Sequence, residues 1–281
     1  MNDIDFIKMS AGGNDFILIK NRDDRFLAFS FQPSDFVKEV CQRKRSIGAD
    51  GVLLLERSKS CDIKMRVFNP DGSEVEMCGN GARCVALYVA RWAKSKIKNQ
   101  KSKINIETKA GILEAEVIGD ARVRLKIQDP KNLRLDFGLE VGGERLQVNY
   151  IDTGVPHVVC FVDDLDGVDV INLGKAIRYY PEFQPAGTNA DFVKVIDAEI
   201  VNVRTYERGV EDETLSCGTG AVACAIIAAR VGRVEPPVWV QTKGGDRLKV
   251  YFDIEGDQVR NVYLEGGAKF IYEGRIEVMD N

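Results

Sequence analysis

Histidine is almost missing: the 281-residue chain has one, His157. That excludes a histidine metal cluster and any mechanism that needs two imidazoles. The seven cysteines include no C-x-x-C pair and their number is odd, which excludes a zinc ribbon and a disulfide framework. Long apolar runs are lacking, and none nears the ~18 residues that span a bilayer. The first residues, Met-Asn-Asp-Ile-Asp, are acidic and have no charged-then-apolar signal layout. A cytoplasmic protein with reduced thiols, and with no membrane among its partners, is expected. Positive charge is not in excess either: 39 Lys and Arg face 43 Asp and Glu, for a net charge of −4. The densest basic stretch, Lys94 to Lys103, is broken by Ile97 and Asn99 and reads as a solvated helix end and loop. Nucleic acid is therefore not an expected partner.

What is present is ordinary globular composition, with 44% hydrophobic and 29% charged residues, long enough for two domains at ~150 residues each. Short β-like runs dominate, from Ile4–Met9, Phe16–Lys20, Val52–Leu55 and Ile63–Phe68 to Arg247–Phe252 and Val262–Leu264. Ser34 reads as the N-cap of a helix reaching about Arg45, and Leu173–Tyr180 as a second helix stopped before Pro181. Two further helices, Gly81–Trp92 and Gly220–Arg230, are apolar on nearly every face. Such helices are buried on all sides, so each is expected at the centre of a domain, wrapped by curved sheet.

The chain also repeats itself. Cys78-Gly-Asn-Gly-Ala matches Cys217-Gly-Thr-Gly-Ala, Ile106-Glu-Thr-Lys-Ala-Gly111 matches Val240-Gln-Thr-Lys-Gly-Gly245, and Asn14-Asp-Phe16 resembles Asn189-Ala-Asp-Phe192. The matches keep the same order in both halves, which favours two copies of one domain plan with a boundary between Ala121 and Leu135. The symmetry predicts that the two helix N-termini face each other across a cleft holding the active site.

Each of these cysteines stands immediately before a helix. Unpaired N–H groups and about half a positive charge at a helix start lower a thiol pKa from its ordinary ~8.5. The following glycines let backbone N–H groups close on a carboxylate. One turn thus offers a reactive sulfur and an anion cradle, and two turns offer sulfurs on opposite sides of one acid. Inverting an α-carbon needs that pair, one group deprotonated and one protonated. The N–H groups also stabilise the charge that develops on the carboxylate, so no cofactor and no metal is expected. Cys41, Cys61, Cys84, Cys160 and Cys224 read as structural thiols.

At these residues the chain resembles the diaminopimelate epimerase family of cofactor-independent two-cysteine racemases. The matching segments include Gly12-Gly-Asn-Asp-Phe16, Phe68-Asn-Pro-Asp-Gly-Ser73, Glu76-Met-Cys-Gly-Asn-Gly-Ala-Arg-Cys84, Pro156-His157, Gly187-Thr-Asn189, Tyr206-Glu-Arg-Gly209 and Leu215-Ser-Cys-Gly-Thr-Gly-Ala221. The resemblance implies interconversion of LL- and meso-diaminopimelate in lysine and peptidoglycan precursor synthesis. It implies an α+β fold of two pseudo-symmetric domains in a homodimer, each a curved, mostly antiparallel sheet around its apolar helix. The domains are then 1–125 with a returning strand at 268–281, and 126–267. Cys78 and Cys217 become the acid–base pair. Gly79, Asn80, Gly218 and Thr219 hold the reacting end, and Asn14, Asn69, Asn189, Glu207 and Arg208 hold the substrate, including its far end. His157 and Glu207 lie near the thiols and tune them. Many members have Asn where this chain has Val155 and Gln where it has Gly51, so two side-chain amides are absent here. A two-thiol racemase of proline-like acids, or a thiol redox protein on the same scaffold, are the rival readings.

Overall fold

The computed structural model describes residues 2–21, 32–94 and 103–278; most of the basic stretch Lys94 to Lys103 lies outside them. The chain divides into two compact units, Met1–Leu125 with Gly266–Asn281, and Lys126–Glu265.

The first unit contains β1 (Asn2–Ala11), β2 (Asn14–Lys20), α1 (Pro33–Val40), β3 (Gly51–Glu56), β4 (Ile63–Phe68), β5 (Glu74–Val75), α2 (Gly79–Lys94), β6 (Lys103–Thr108), β7 (Gly111–Ile118) and β8 (Arg122–Lys126). A final strand, here β18 (Lys269–Val278), returns to pair with β1. Neighbouring strands run antiparallel except at β2/β3 and β4/β6. A parallel pair needs a crossover, and the two helices occur at those two places.

The second unit repeats the plan. Its elements are β9 (Lys131–Val141), β10 (Glu144–Asp152), β11 (Pro156–Phe161), α3 (Val170–Arg178), β12 (Asn189–Val195), β13 (Ile200–Glu207), β14 (Asp212–Thr214), α4 (Gly218–Arg230), β15 (Val238–Thr242), β16 (Arg247–Glu255) and β17 (Gln258–Gly267). The parallel pairs are β11/β12 and β13/β15, again crossed by α3 and α4. β9 flanks β10 as β18 flanks β1.

Strand register fixes the equivalent positions. Phe16 pairs with Gly51 as His157 pairs with Asn189, and Leu53 pairs with Val67 as Asp191 pairs with Thr205. Gly51 is therefore the counterpart of Asn189, Phe16 of His157, Leu53 of Asp191 and Val67 of Thr205. This corrects one sequence match. Asn14 opens the second strand of its unit, whereas Asn189 opens the strand after the first crossover, so the likeness of the two Asn-containing segments is not a structural equivalence.

The sequence runs quoted above fall inside strands. The helix boundaries moved. Pro33 occupies the first turn of α1, where its missing N–H costs nothing, so Gln32 and not Ser34 is the cap. That helix stops at Val40. Asp169 caps α3 by accepting from the Asn172 N–H, which starts the helix at Val170.

Helix α4 is the apolar axis of its unit. Gly220 through Ala228 are buried against Ile151, Val159, Val193, Val201, Val240, Val250 and Val262. The opposite face of that sheet packs Val158, Cys160, Ala190, Phe192 and Tyr206 under α3 with Val170 and Ile177. In the first unit, Phe36, Val37 and Val40 of α1 cover Ile17, Ile19, Val52 and Leu54, while α2 buries Ala82 and Cys84 through Val89 on the other face. Small residues fill much of this helix: Gly220, Ala221, Ala223, Ala225 and Ala228 are all buried. Among the described residues no helix is long and apolar enough to cross a membrane.

Candidate active site

Both helices start two residues earlier than their apolar pattern suggests, at Gly79 and Gly218. The two cysteines thereby become the residues just outside the first turn. The Cys217 thiol accepts the Gly220 N–H at 3.4 Å, and the Cys78 thiol accepts the Gly81 N–H at 3.4 Å. Gly79, Asn80, Gly218 and Thr219 fill the first turns, whose leading N–H groups have no acceptor within a helix and are available to an anion. The space in front of Gly79 is open: a Cβ built there meets no atom within 4 Å. All seven cysteines are free thiols.

In the first unit a chain of hydrogen bonds runs away from the Cys78 turn. The fully buried Arg83 donates Nη2 to Asn80 Oδ1 at 2.7 Å. Asn80 Nδ2 donates to Asn14 Oδ1 at 2.7 Å and to the Gly12 carbonyl at 3.2 Å. Asn14 Nδ2 in turn donates to Asp50 Oδ2 at 3.4 Å, and Asp50 Oδ1 accepts from Arg43 at 2.8 Å. A cation at one end and an anion at the other set which way each amide points. Gly12 has φ +58°, and a Cβ there would lie 2.6 Å from Asn80 Oδ1, so only glycine lets Asn80 sit where it does. Below the chain, Asp15 is held by Lys8 at 2.7 Å and Arg43 at 2.6 Å. Burial opposes ionisation of Asp15, but the bonds from Arg43 and Lys8 outweigh it and hold its pKa at about 2.

In the second unit Cys217 is buried. The expectation of a depressed thiol pKa is overturned here. Burial pushes the Cys217 thiol well above its ordinary value, and the nearby carboxylates of Glu207 and Asp191 push it the same way. The Thr219 hydroxyl, 3.5 Å from the sulfur, and the Gly220 N–H favour the thiolate but do not win. A helix start acts only when its field exceeds the cost of desolvation, and this sulfur lies too deep. Glu207 is likewise raised by burial, and further by Asp191, against the opposing interactions with Thr214, His157 and Cys217. His157 and Asp191 are both fully buried, with Nδ1 and Oδ2 2.7 Å apart. Thr205 donates its hydroxyl to the other Asp191 oxygen at 2.6 Å.

The remaining expected residues sit as follows. Asn189 is buried, and its amide is engaged within the unit: Oδ1 accepts the Arg208 N–H at 2.8 Å and Nδ2 donates to the Pro156 carbonyl at 2.9 Å. Arg208 is half-buried and donates Nη1 to the Ala186 carbonyl at 3.0 Å. Asn69 is half-buried and its Nδ2 donates to Ser73 Oγ at 3.2 Å. At Gly51 a Cβ would lie 2.6 Å from the Phe68 carbonyl oxygen, so β3 and β4 run closer there than a side chain allows. Val155 is half-buried and its carbonyl accepts the Thr153 N–H. Cys84 and Cys160 are buried, and burial pushes each to about 12; Cys41 is raised by burial to about 11. Burial also lifts Cys224, while Cys61 is half-buried.

Sequence reasoning missed Arg83, Asp50, Asp191 and Thr205. A signal existed for one of them: Arg83 is the single charge within the buried part of an otherwise apolar helix.

The chain thus folds as two repeated α+β units, each with a cysteine ahead of a buried helix. The solved phenazine biosynthesis protein of Bacillus anthracis (PhzF family) shares this fold, with a TM-score of 0.71 over 99% of this chain and 100% of that one, at 18% identity. The family profile described as Diaminopimelate epimerase matches residues 6–131 and 149–271. The diaminopimelate epimerase of Archaeoglobus fulgidus is 42% identical, covering 96% of this chain and 95% of that protein. That of Aquifex aeolicus is 41% identical, covering 97% and 98%. The chain belongs to the diaminopimelate epimerase family.

Proposed function

We propose that this protein is a diaminopimelate epimerase that interconverts LL- and meso-diaminopimelate by proton transfer at the α-carbon. The observation that carries the reading is the identity of about two residues in five with proteins of that name over nearly the whole chain. The paired cysteine turns supply the chemistry. One thiolate takes the α-proton and becomes a thiol, and the other thiol delivers its proton to the opposite face and becomes a thiolate. Burial and two carboxylates favour the protonated form of Cys217, which suits it to be the acid in the substrate-free enzyme. Cys78 is then the base. The N–H groups of Gly79, Asn80, Gly218 and Thr219 receive the carboxylate as it gains charge. Arg208 takes the far carboxylate through its guanidinium fork, and Asn14, Asn69 and Glu207 accept from ammonium groups. Asn189 serves this set by clamping the Arg208 backbone and the strand before His157. The work takes place in the cytoplasm, in a homodimer, in lysine and peptidoglycan precursor synthesis.

The test is proton NMR in heavy water. LL- and meso-diaminopimelate should each gain deuterium at the α-carbon and converge on one mixture. Exchange confined to proline-like acids would favour a related racemase, and no exchange with any amino acid would end the reading.

A further inference from the structure

The two units build the same place in the sheet from opposite materials. In the first unit Phe16, Leu53 and Val67 are all buried, Leu53 pairs with Val67, and Leu53 lies under the start of α2, where a Cβ on Gly81 would meet it at 2.7 Å. At the equivalent positions of the second unit stand His157, Asp191 and Thr205, also buried. The fold is therefore complete with an apolar trio here. Replacing a buried charged pair by packed apolar side chains is often neutral or stabilising. The first unit is that replacement already made, so stability alone does not account for the polar trio of the second.

The geometry of the trio assigns its protons. An ionised carboxylate only accepts. Asp191 Oδ1 accepts the Thr205 hydroxyl at 2.6 Å, and Oδ2 lies 2.7 Å from His157 Nδ1. The carboxylate also packs against the first turn of α4, because a Cβ built on Gly220 would lie 2.4 Å from Asp191 Oδ1. The positive end of the helix favours the charge there. The ring proton then resides on Nδ1. His157 Nε2 is buried and has no hydrogen-bond partner among the described residues. A proton on that nitrogen as well would bury an N–H with no acceptor, which is costly.

We propose that Asp191, with Thr205, is a positioning residue that holds His157 as its neutral Nδ1–H tautomer, so that the buried Nε2 is left as a bare proton acceptor. This rests on the epimerase reading. The same carboxylate also favours the protonated form of Cys217. At Cys217 its part is a minor one, behind burial and Glu207.

The chain has one histidine, so every imidazole nitrogen signal belongs to it. Long-range proton–nitrogen NMR of the labelled, substrate-free protein at pH 8 should show a protonated Nδ1 and an unprotonated Nε2. In Asp191→Asn the acceptor-only carboxylate is gone. The Nε2–H tautomer should then rise about tenfold or more, and kcat should fall by about tenfold or more with KM changed less than about twofold. A triple variant, His157→Phe with Asp191→Leu and Thr205→Val, copies the first unit; it should melt within a few degrees of the parent protein or above it.

A parent spectrum with Nε2 protonated, either as the other tautomer or as the imidazolium, overturns the proposal. So does an Asp191→Asn protein with unchanged tautomer and kcat, or a triple variant that melts far below the parent. Should Asp191→Asn fail to fold, the parent spectrum and the triple variant still decide. The tautomer is read without substrate, so failure of the epimerase reading would appear separately, as absent deuterium uptake.

Discussion

Gly81 and Gly220 occupy the same step of the same turn, and what crowds them differs. A Cβ on Gly81 would meet Leu53 Cδ2 at 2.7 Å; a Cβ on Gly220 would meet Asp191 Oδ1 at 2.4 Å. One helix start rests on a methyl group and the other on a carboxylate. The charge of the first unit lies further along its helix, in Arg83, whose counterpart two residues past Gly220 is the buried Val222. Around one backbone plan, the first unit places a cation on the helix of its thiol and the second places anions beside its thiol. Symmetry of fold therefore does not require symmetry of proton state. The reaction proposed here needs one protonated and one deprotonated group at each moment, and at Cys217 burial and the carboxylates favour the protonated one.

The largest expected effect tests whether both turns are used. Cys78→Ala and Cys217→Ala should each lower epimerisation by about 10²–10⁴-fold, in both directions, as read by proton NMR in heavy water. Near-normal epimerisation by either variant would show that one thiol suffices and that the comparison has no functional content.

A smaller effect tests the materials beneath the helices. Both Gly81→Ala and Gly220→Ala overpack, at about 1–3 kcal/mol. The Gly220 variant should lose more, because Leu53 can change rotamer while Asp191 is fixed by Thr205 and His157. Urea melts of the two variants decide, and equal losses would mean that Asp191 yields as easily as a leucine.

The next effect is of similar size and concerns charge that belongs to the first unit only. Asp15 is held at about 2 from an ordinary 3.8. A depressed carboxyl pKa contributes stability above its unfolded value, and that stability is lost as pH falls towards the folded value. Asp15→Asn should therefore cost about 2 kcal/mol at pH 7 and progressively less between about pH 4 and pH 2. A cost that stays constant down to pH 2 would remove the ionised carboxylate from the account.

Much of this was legible in the sequence, and the failures have physical causes. The two apolar helices were plain, because an all-round apolar surface has one explanation. Their first turns were not, because glycine, asparagine and threonine carry no apolar signal. The strands β5 and β14 are too short to show a period. β9 has only two buried residues and begins in the segment that reads as a domain boundary. The cysteines declared themselves by repetition. Their proton affinities did not, because the sign depends on burial and on carboxylates distant in sequence. Asp191 was invisible for the same reason: it lies in an apolar strand, and only the pairing with β11 and β13 brings His157 and Thr205 to it.

β18 has a consequence for the order of events on the ribosome. The flank of β10 is covered by β9, made just before it, so the second unit holds all its neighbours as soon as β17 is complete. The flank of β1 is covered by β18, which emerges after the whole of the second unit. The unit synthesised first is thus the last to close, and it carries an unpaired strand edge through most of translation. Such an edge invites pairing with other nascent chains. Joining β18 directly ahead of β1 by circular permutation would give both units the same history.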